Sequence, residues 1–455
     1  MQVNFTLILD GITVLASGLL VLLSIRKKNN PYRIHIRIVL LFLIGLTILA
    51  FVSRLTLHYG IHLIPWLIVI LASGFLYFGS GENSIQRALR SPLRRSKAHH
   101  AFGLAVADSS LELVNVVLDK EKLAVNYFAR VPLESGVIER GYIRKFDAFQ
   151  AAINELFSPT DGKEKNRTVV SAFPDYQVFT RLLKIDRADF DKKGLDAFVL
   201  GEMSKSLPVE LNEVTIRTLT HEASENTIEV MIFAAYNSLI QNWVKNFQQA
   251  GLNITGIEME SLALIRSLIK ECPINVAYFI ADLGGSSSDL TIVDCYGIKL
   301  SASIASGGKY LTKRVAEELQ LTLDDAETQK RQIGLTEQGH STVALVLAKG
   351  LQEIVDKINK EISYYEHSGK HIEKIFLAGG TSGMPGIVEY FSKQCGRSAE
   401  RGHPWTDFES DIVGSFKLST KNLPKDQEHF YAGATGLALK GLNRGHLKKG
   451  INFLE

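Results

Sequence analysis

The sequence predicts an α/β protein of duplicated architecture preceded by three transmembrane helices. Three observations predict it: apolar runs confined to the first hundred residues, alternating strand-like and helix-like segments beyond them, and two hairpin-like segments of the same rhythm, one in each half of the remainder.

The apolar runs are Val3–Ile25, Ile38–His58 and Ile61–Gly79. Each has about the ~20 residues that carry a helix across ~30 Å of hydrocarbon. Arg26, Lys27, Lys28, Arg33 and Arg37 follow the first run, and Arg87, Arg90, Arg94, Arg95 and Lys97 the third. By the bias of basic loops toward the cytoplasm, residues 83–455 are expected on the cytoplasmic side of a multi-pass membrane protein. The expected divisions are 1–82 as the membrane region, 83–100 as a basic linker, 101–445 as the main domain and 446–455 as a tail.

The chain of 455 residues has 51 Lys and Arg against 48 Asp and Glu. Residues 1–100 hold 11 of the former and 2 of the latter, leaving 40 against 46 beyond them. That mildly acidic balance disfavours nucleic acid as a partner. Cys272, Cys295 and Cys395 are scattered and odd in number, as reduced core thiols are, and no His or Cys spacing marks a metal site.

Beyond the linker, strands are expected at 101–107, 112–118, 167–172, 177–185, 214–221, 227–235, 276–281, 289–294, 298–304 and 374–377. Helices are expected at 145–156, 193–206, 237–250, 259–269, 308–319, 342–366, 384–395 and 431–442. In 342–366 the apolar residues Val343, Val346, Leu347, Leu351, Ile354, Ile358 and Ile362 recur at helical spacing, which predicts a core-facing stripe.

Residues 282–293, DLGGSSSDLTIV, carry the strongest chemical signal. Extended-favouring residues flank a glycine pair, so a hairpin with a polar tip is expected. Backbone N–H groups of Gly284, Gly285, Ser286 and Ser287 can wrap a phosphate, with Asp289 closing the tip and Asp282 placed to hold a Mg²⁺-bound water. A plain Asp/Gly/Ser turn has the same composition. Residues 101–116 repeat the strand, polar turn, strand rhythm, which puts Ser109 and Ser110 at a second tip. Residues 375–386, IFLAGGTSGMPG, read as a strand entering a glycine turn, where Gly379, Gly380, Thr381 and Ser382 let a base or ribose approach backbone closely. Glu327 and Lys330 lie three apart on one helix face, able to grip ribose hydroxyls or simply to form a solvated charged face. Gly307-Gly308-Lys309 is followed by Tyr310, so no Walker loop is formed.

In order, the two hairpins, the Glu327/Lys330 helix, 375–386 and the small-residue segment 431–442 resemble the actin-like ATPase superfamily. Within it, residues 101–445 resemble the PilM family of type IV pilus assembly proteins, relatives of the division protein FtsA, on segments 169–185, 207–216 and 228–268. The resemblance implies an actin-like, duplicated ribonuclease H-like fold with an inserted 1C-type subdomain at about 177–255. It also implies ATP with Mg²⁺ as the ligand, the residues just named as its binding set, and a PilN-like bitopic protein with other pilus platform proteins as partners. Residues 448–455, KKGINFLE, resemble the short peptide by which PilN engages PilM, so Ile451, Asn452, Phe453 and Leu454 are expected to bind a partner or a second copy of the chain.

The chain departs from the family at its first hairpin, where Ala105, Ala107 and Glu112 stand in place of an Asp, a Gly and a Lys. Losing the acid and the cation removes support for phosphate and Mg²⁺, so a nucleotide-binding scaffold is expected ahead of an enzyme. The alternatives are a slowly hydrolysing actin-like ATPase, in which Asp282 positions water, and an FtsA-like membrane-attached cytoskeletal or division protein.

Overall fold

The computed structural model describes residues 99–119, 122–158, 167–336, 342–367, 369–408, 427–444 and 450–455. These all belong to one structural unit, Ser96–Glu455. Two expectations are corrected here, the three membrane helices in the fold class and the multi-pass membrane location drawn from them. No helix among the described residues is long and apolar enough to cross a membrane, and the runs at 3–25, 38–58 and 61–79 lie outside the described residues. The described residues form the α/β domain.

That domain begins with a meander, β1 (His99–Val106), β2 (Ser110–Asp119) and β3 (Lys122–Pro132). Alternation sorts β1: Phe102, Leu104 and Val106 enter one core, while Gly103 and Ala105 face the other way. A two-stranded ribbon, β4 (Ile138–Glu139) and β5 (Tyr142–Ile143), leads into α1 (Phe146–Phe157), whose Phe149, Ile153, Leu156 and Phe157 cover the first face. Strand β6 (Thr168–Phe173) then pairs in parallel with β1.

The chain now leaves this sheet. Strand β7 (Val178–Asp186), α2 (Arg187–Lys193), α3 (Leu195–Ser206), β8 (Val214–Ser224) and β9 (Thr227–Tyr236) make a three-stranded antiparallel sheet in the order β7-β9-β8. Its own core holds Ile185, Val199, Met203, Val214, Ile228, Val230 and Ile232. Strand pairing ends this insert at Tyr236: after α4 (Asn237–Gln249), β10 (Asn253–Met259) pairs with β6, so residues up to 255 are not all part of it. A bulge between Ile254 and Gly256 breaks the alternation of β10, which hid it as a strand in the sequence. Helix α5 (Glu260–Leu268) follows directly and is buried along its length apart from Glu260.

The second half repeats the first. Strands β11 (Val276–Leu283), β12 (Ser288–Asp294) and β13 (Gly297–Ile304) form a meander, followed by α6 (Gly308–Leu319), α7 (Leu323–Gln332), α8 (Thr342–Glu366), β14 (His371–Ala378), α9 (Ile387–Cys395) and β15 (Ala399–Arg401). All seven stripe residues of α8 are buried against α6, α9 and this sheet. The two sheets run β3-β2-β1-β6-β10 and β13-β12-β11-β14-β15, each an antiparallel meander extended by two parallel strands. Helix α10 (Ala432–Gly441) closes the second face of the first sheet. It packs so tightly that a Cβ on Gly103 would lie 1.9 Å from the Ala434 carbonyl oxygen, and one on Gly436 1.8 Å from that of Ala263. Only glycine permits these backbones to touch.

Candidate functional site

The tips of the two meanders meet. A Cβ on Gly285 would stand 3.5 Å from Ser109 Oγ, so the 107–109 turn and the 284–287 turn face each other across a cleft between the halves. The first turn closes through Ala107 N donating to the Ser110 carbonyl at 3.0 Å. Glu112 does not point bare charge at the cleft. Register sets it opposite Arg130 on β3, whose Nε donates to Oε1 at 2.9 Å while Nη2 reaches Ser110 Oγ at 3.1 Å. Burial pushes the Glu112 carboxyl up and Arg130 partly offsets this. The guanidinium also lies 4.3 Å over the Phe430 ring. Arg130 escaped the sequence reading because only the β2–β3 register makes an arginine eighteen positions away the partner of Glu112.

The second turn is clamped by α6. Gly284 and Gly285 carbonyls accept from Gly308 N and Lys309 N, both at 2.9 Å, and Thr381 Oγ1 donates to Gly284 O at 3.1 Å. A Cβ on Gly307 would meet Gly284 O at 2.7 Å, which explains the glycine there. Lys309, a member of no motif, reaches Ser286 Oγ at 3.3 Å and supplies a cation at the tip. Ser287 Oγ donates to Asp289 Oδ2 at 3.3 Å.

Glu327 and Lys330 form no idle surface pair. Lys330 Nζ is buried and donates to Glu327 Oε2 at 2.6 Å, Thr312 Oγ1 at 2.8 Å and Gly308 O at 3.0 Å, tying α7 to the start of α6. Burial pushes Glu327 up, but bonds from Lys330 and Thr312 outweigh it and hold the carboxyl at about 2. Gly379, at φ 76°, brings the 379–382 turn against Asp282: a Cβ there would lie 2.2 Å from Asp282 Oδ1. Ser382 Oγ donates to Gly379 O at 2.7 Å, and Gly380 lies against the Phe430 ring. Gly284, Gly285, Glu327, Lys330, Gly379 and Thr381 are thus joined by contacts, with Ser109 facing them. Ile451, Asn452, Phe453 and Leu454 are elsewhere, on β10.

Carboxylates from both halves crowd the cleft floor. Asp282 and Asp289 are directly paired across β11 and β12. Burial, then Asp289 and Glu112, raises Asp282 to about 7, and burial, tempered by bonds from Ser303 and Ser287, raises Asp289 to about 6. Asp175 at the end of β6 and Glu260 at the start of α5 are also raised, by burial and by their acidic neighbours. Sequence reasoning missed both, since they follow strand ends without any motif. Asp175 Oδ1 accepts from Ser261 N at 3.0 Å, while its buried Oδ2 has no hydrogen-bond partner. Among the described residues no three His, Cys, Asp or Glu side chains converge as a metal site.

Raised carboxyls bind protons more tightly folded than unfolded, so their contribution to stability is full below about pH 4 and is lost as pH rises through 6 and 7. Asp282→Asn is expected to raise the thermal midpoint at pH 8 by several degrees and to leave it nearly unchanged at pH 4. Melting curves at both values check this; an equal shift at both would mean that titration of Asp282 is not the cause.

Two sheets of one topology, joined so that the turns of their first hairpins face each other across a cleft, define the class of actin-like proteins. The model of the type IV pilus assembly protein PilM family matches residues 103–442, and the chain belongs to that family. The FtsA cell division protein of Neisseria meningitidis serogroup B is 23% identical over 231 residues, 45% of this chain and 53% of the relative. The ethanolamine utilization protein EutJ of Escherichia coli is 29% identical over 116 residues, 25% of this chain and 37% of the relative. The chain therefore spans about half the length of the first curated relative and less of the second. A structure of a PilM-PilN type IV pilus biogenesis complex superposes with a TM-score of 0.63 at 21% identity, covering 75% of this chain and 98% of that one, which establishes the shared fold.

Proposed function

We propose that this PilM-family chain is a nucleotide-binding scaffold of a type IV pilus assembly platform, taking ATP with Mg²⁺ in the cleft and recruiting a PilN-like partner. The facing hairpin tips, with Lys309 at one of them, carry the nucleotide part. Ser109, Ser110 and Gly284 to Ser287 line the phosphate end, Asp289 braces the second tip, and Glu327, Lys330 and Gly379 to Ser382 surround the nucleoside end. The raised carboxyls of Asp282 and Asp289, with the unpartnered Asp175 oxygen, suit a hydrated cation held through water, because a divalent charge would relieve their repulsion. Turnover is disfavoured: Arg130 is engaged by Glu112 and Ser110, so the first hairpin presents no free cation to developing phosphate charge. The partner part is supported by family membership and by the fold shared with the PilM-PilN complex.

Calorimetric titration of the full chain with ATP and Mg²⁺ tests the first part. Saturable binding is expected, and Lys309→Ala, at an exposed position, should weaken it roughly tenfold, about 1.4 kcal/mol, with an unchanged thermal midpoint. Equal affinity in the variant would remove the hairpin tip from the site.

A further inference from the structure

Residues 450–455 form neither helix nor strand, yet they are read at nearly every position by the rest of the chain. Strand β10 is the outer strand of its sheet, and an outer strand offers unpaired backbone groups to any extended segment. Phe453 N donates to Ile257 O at 2.8 Å, and Asn452 Oδ1 accepts from Ile257 N at 3.0 Å. Asn452 Nδ2 donates to Thr255 O at 3.3 Å, so one amide side chain stands in for a strand's backbone. From the insert, Arg217 Nε donates to Asn452 O at 2.7 Å, and from α10 Lys440 Nζ donates to Ile451 O. Ile451 and Phe453 are each 3% exposed, Phe453 lying on Phe173 with ring centroids 5.8 Å apart. Even Gly450 is specified, because a Cβ there would come within 2.7 Å of Arg266 Nη2 and 2.8 Å of Glu258 Oε2.

Backbone bonding to a sheet edge, combined with pockets for alternate side chains, is how extended peptides are recognised. A covalently attached peptide sees its own groove at an effective concentration of about millimolar, so modest intrinsic affinity suffices to fill it. We propose that residues 450–455 are a displaceable occupant, in cis, of a peptide-recognition groove between β10 and β8. The segment thereby holds off extended partner peptides of the same chemistry: a small residue, an aliphatic, an asparagine and a large apolar residue. The proposal goes beyond the nucleotide reading and does not depend on it.

The test is fluorescence anisotropy of a labelled synthetic peptide, Lys-Gly-Ile-Asn-Phe-Leu-Glu, against the full chain and against the chain lacking residues 450–455. At least tenfold tighter binding to the shortened chain is expected, with at least tenfold loss when the peptide's asparagine is replaced by alanine. Since the deletion uncovers apolar surface, Asn452→Ala in the otherwise complete chain is the second variant, and it should admit the peptide with intermediate affinity. Equal affinity for all three proteins, or no binding by the folded Asn452→Ala chain, overturns the proposal. A full-chain dimer that becomes monomeric on deletion would also overturn it, in favour of exchange of the segment between copies.

Discussion

Glu258→Ala is expected to lower stability by about 3–5 kcal/mol, the usual cost of stranding a buried charge by removing its partner. Glu258 and Arg266 are both inaccessible to solvent and are joined in a bidentate pair at 2.6 and 3.1 Å, with Lys440 Nζ 2.8 Å from Glu258 Oε2. Arg266 Nη1 also donates to Gly436 O at 3.1 Å, so one carboxylate links β10, α5 and α10 at the contact where glycine lets two backbones touch. Without the carboxylate, Arg266 stays buried and loses its bidentate partner. The double replacement Glu258→Met with Arg266→Met should recover most of the loss, because packed apolar groups carry no desolvation penalty. Chemical denaturation of the three chains checks this; a loss below about 1 kcal/mol for Glu258→Ala would mean that water replaces the carboxylate.

Gly379→Val is expected to cost about 3 kcal/mol or more and to abolish nucleotide binding. The backbone at φ 76° and ψ 169° lies where side chains cost about 1–3 kcal/mol by themselves. A Cβ would in addition overlap Asp282 Oδ1 at 2.2 Å and Leu283 O at 2.7 Å, forcing apart the 379–382 turn and the second hairpin. Gly396→Ala is the control. That residue also has a positive φ, 61°, but its Cβ would meet nothing within 4 Å, so it should lose only about 1 kcal/mol from backbone strain and keep nucleotide binding. Similar losses in both variants would show that backbone strain alone governs position 379.

Legibility in the sequence followed how local each signal is. The α8 stripe and the hairpin at 282–293 depend on neighbours a few positions apart, and both lie in the structure where periodicity and turn chemistry put them. The duplication was visible as a shared rhythm because each half spends its first strands on the same meander. What depends on register stayed hidden. Arg130 neutralises Glu112 only because β2 and β3 align them, and Asp175 and Glu260 reach the cleft floor only because β6 and β10 end side by side. Glu327 and Lys330 showed their spacing but not their burial, which α6 imposes. The membrane helices failed as part of the fold class because long apolar runs are a property of segments and not of the described domain, whose helices are amphipathic or short.

Calorimetry with ATP and Mg²⁺ on the full chain near pH 6.5, run in two buffers of different ionisation enthalpy beside a phosphate-release assay, is the most direct measurement. Saturable binding, release of protons as the cation lowers the carboxyls now near 7 and 6, and no phosphate are expected of a nucleotide-held scaffold. Absence of any saturable heat at millimolar ATP, about 4 kcal/mol of binding free energy, would contradict the nucleotide cleft.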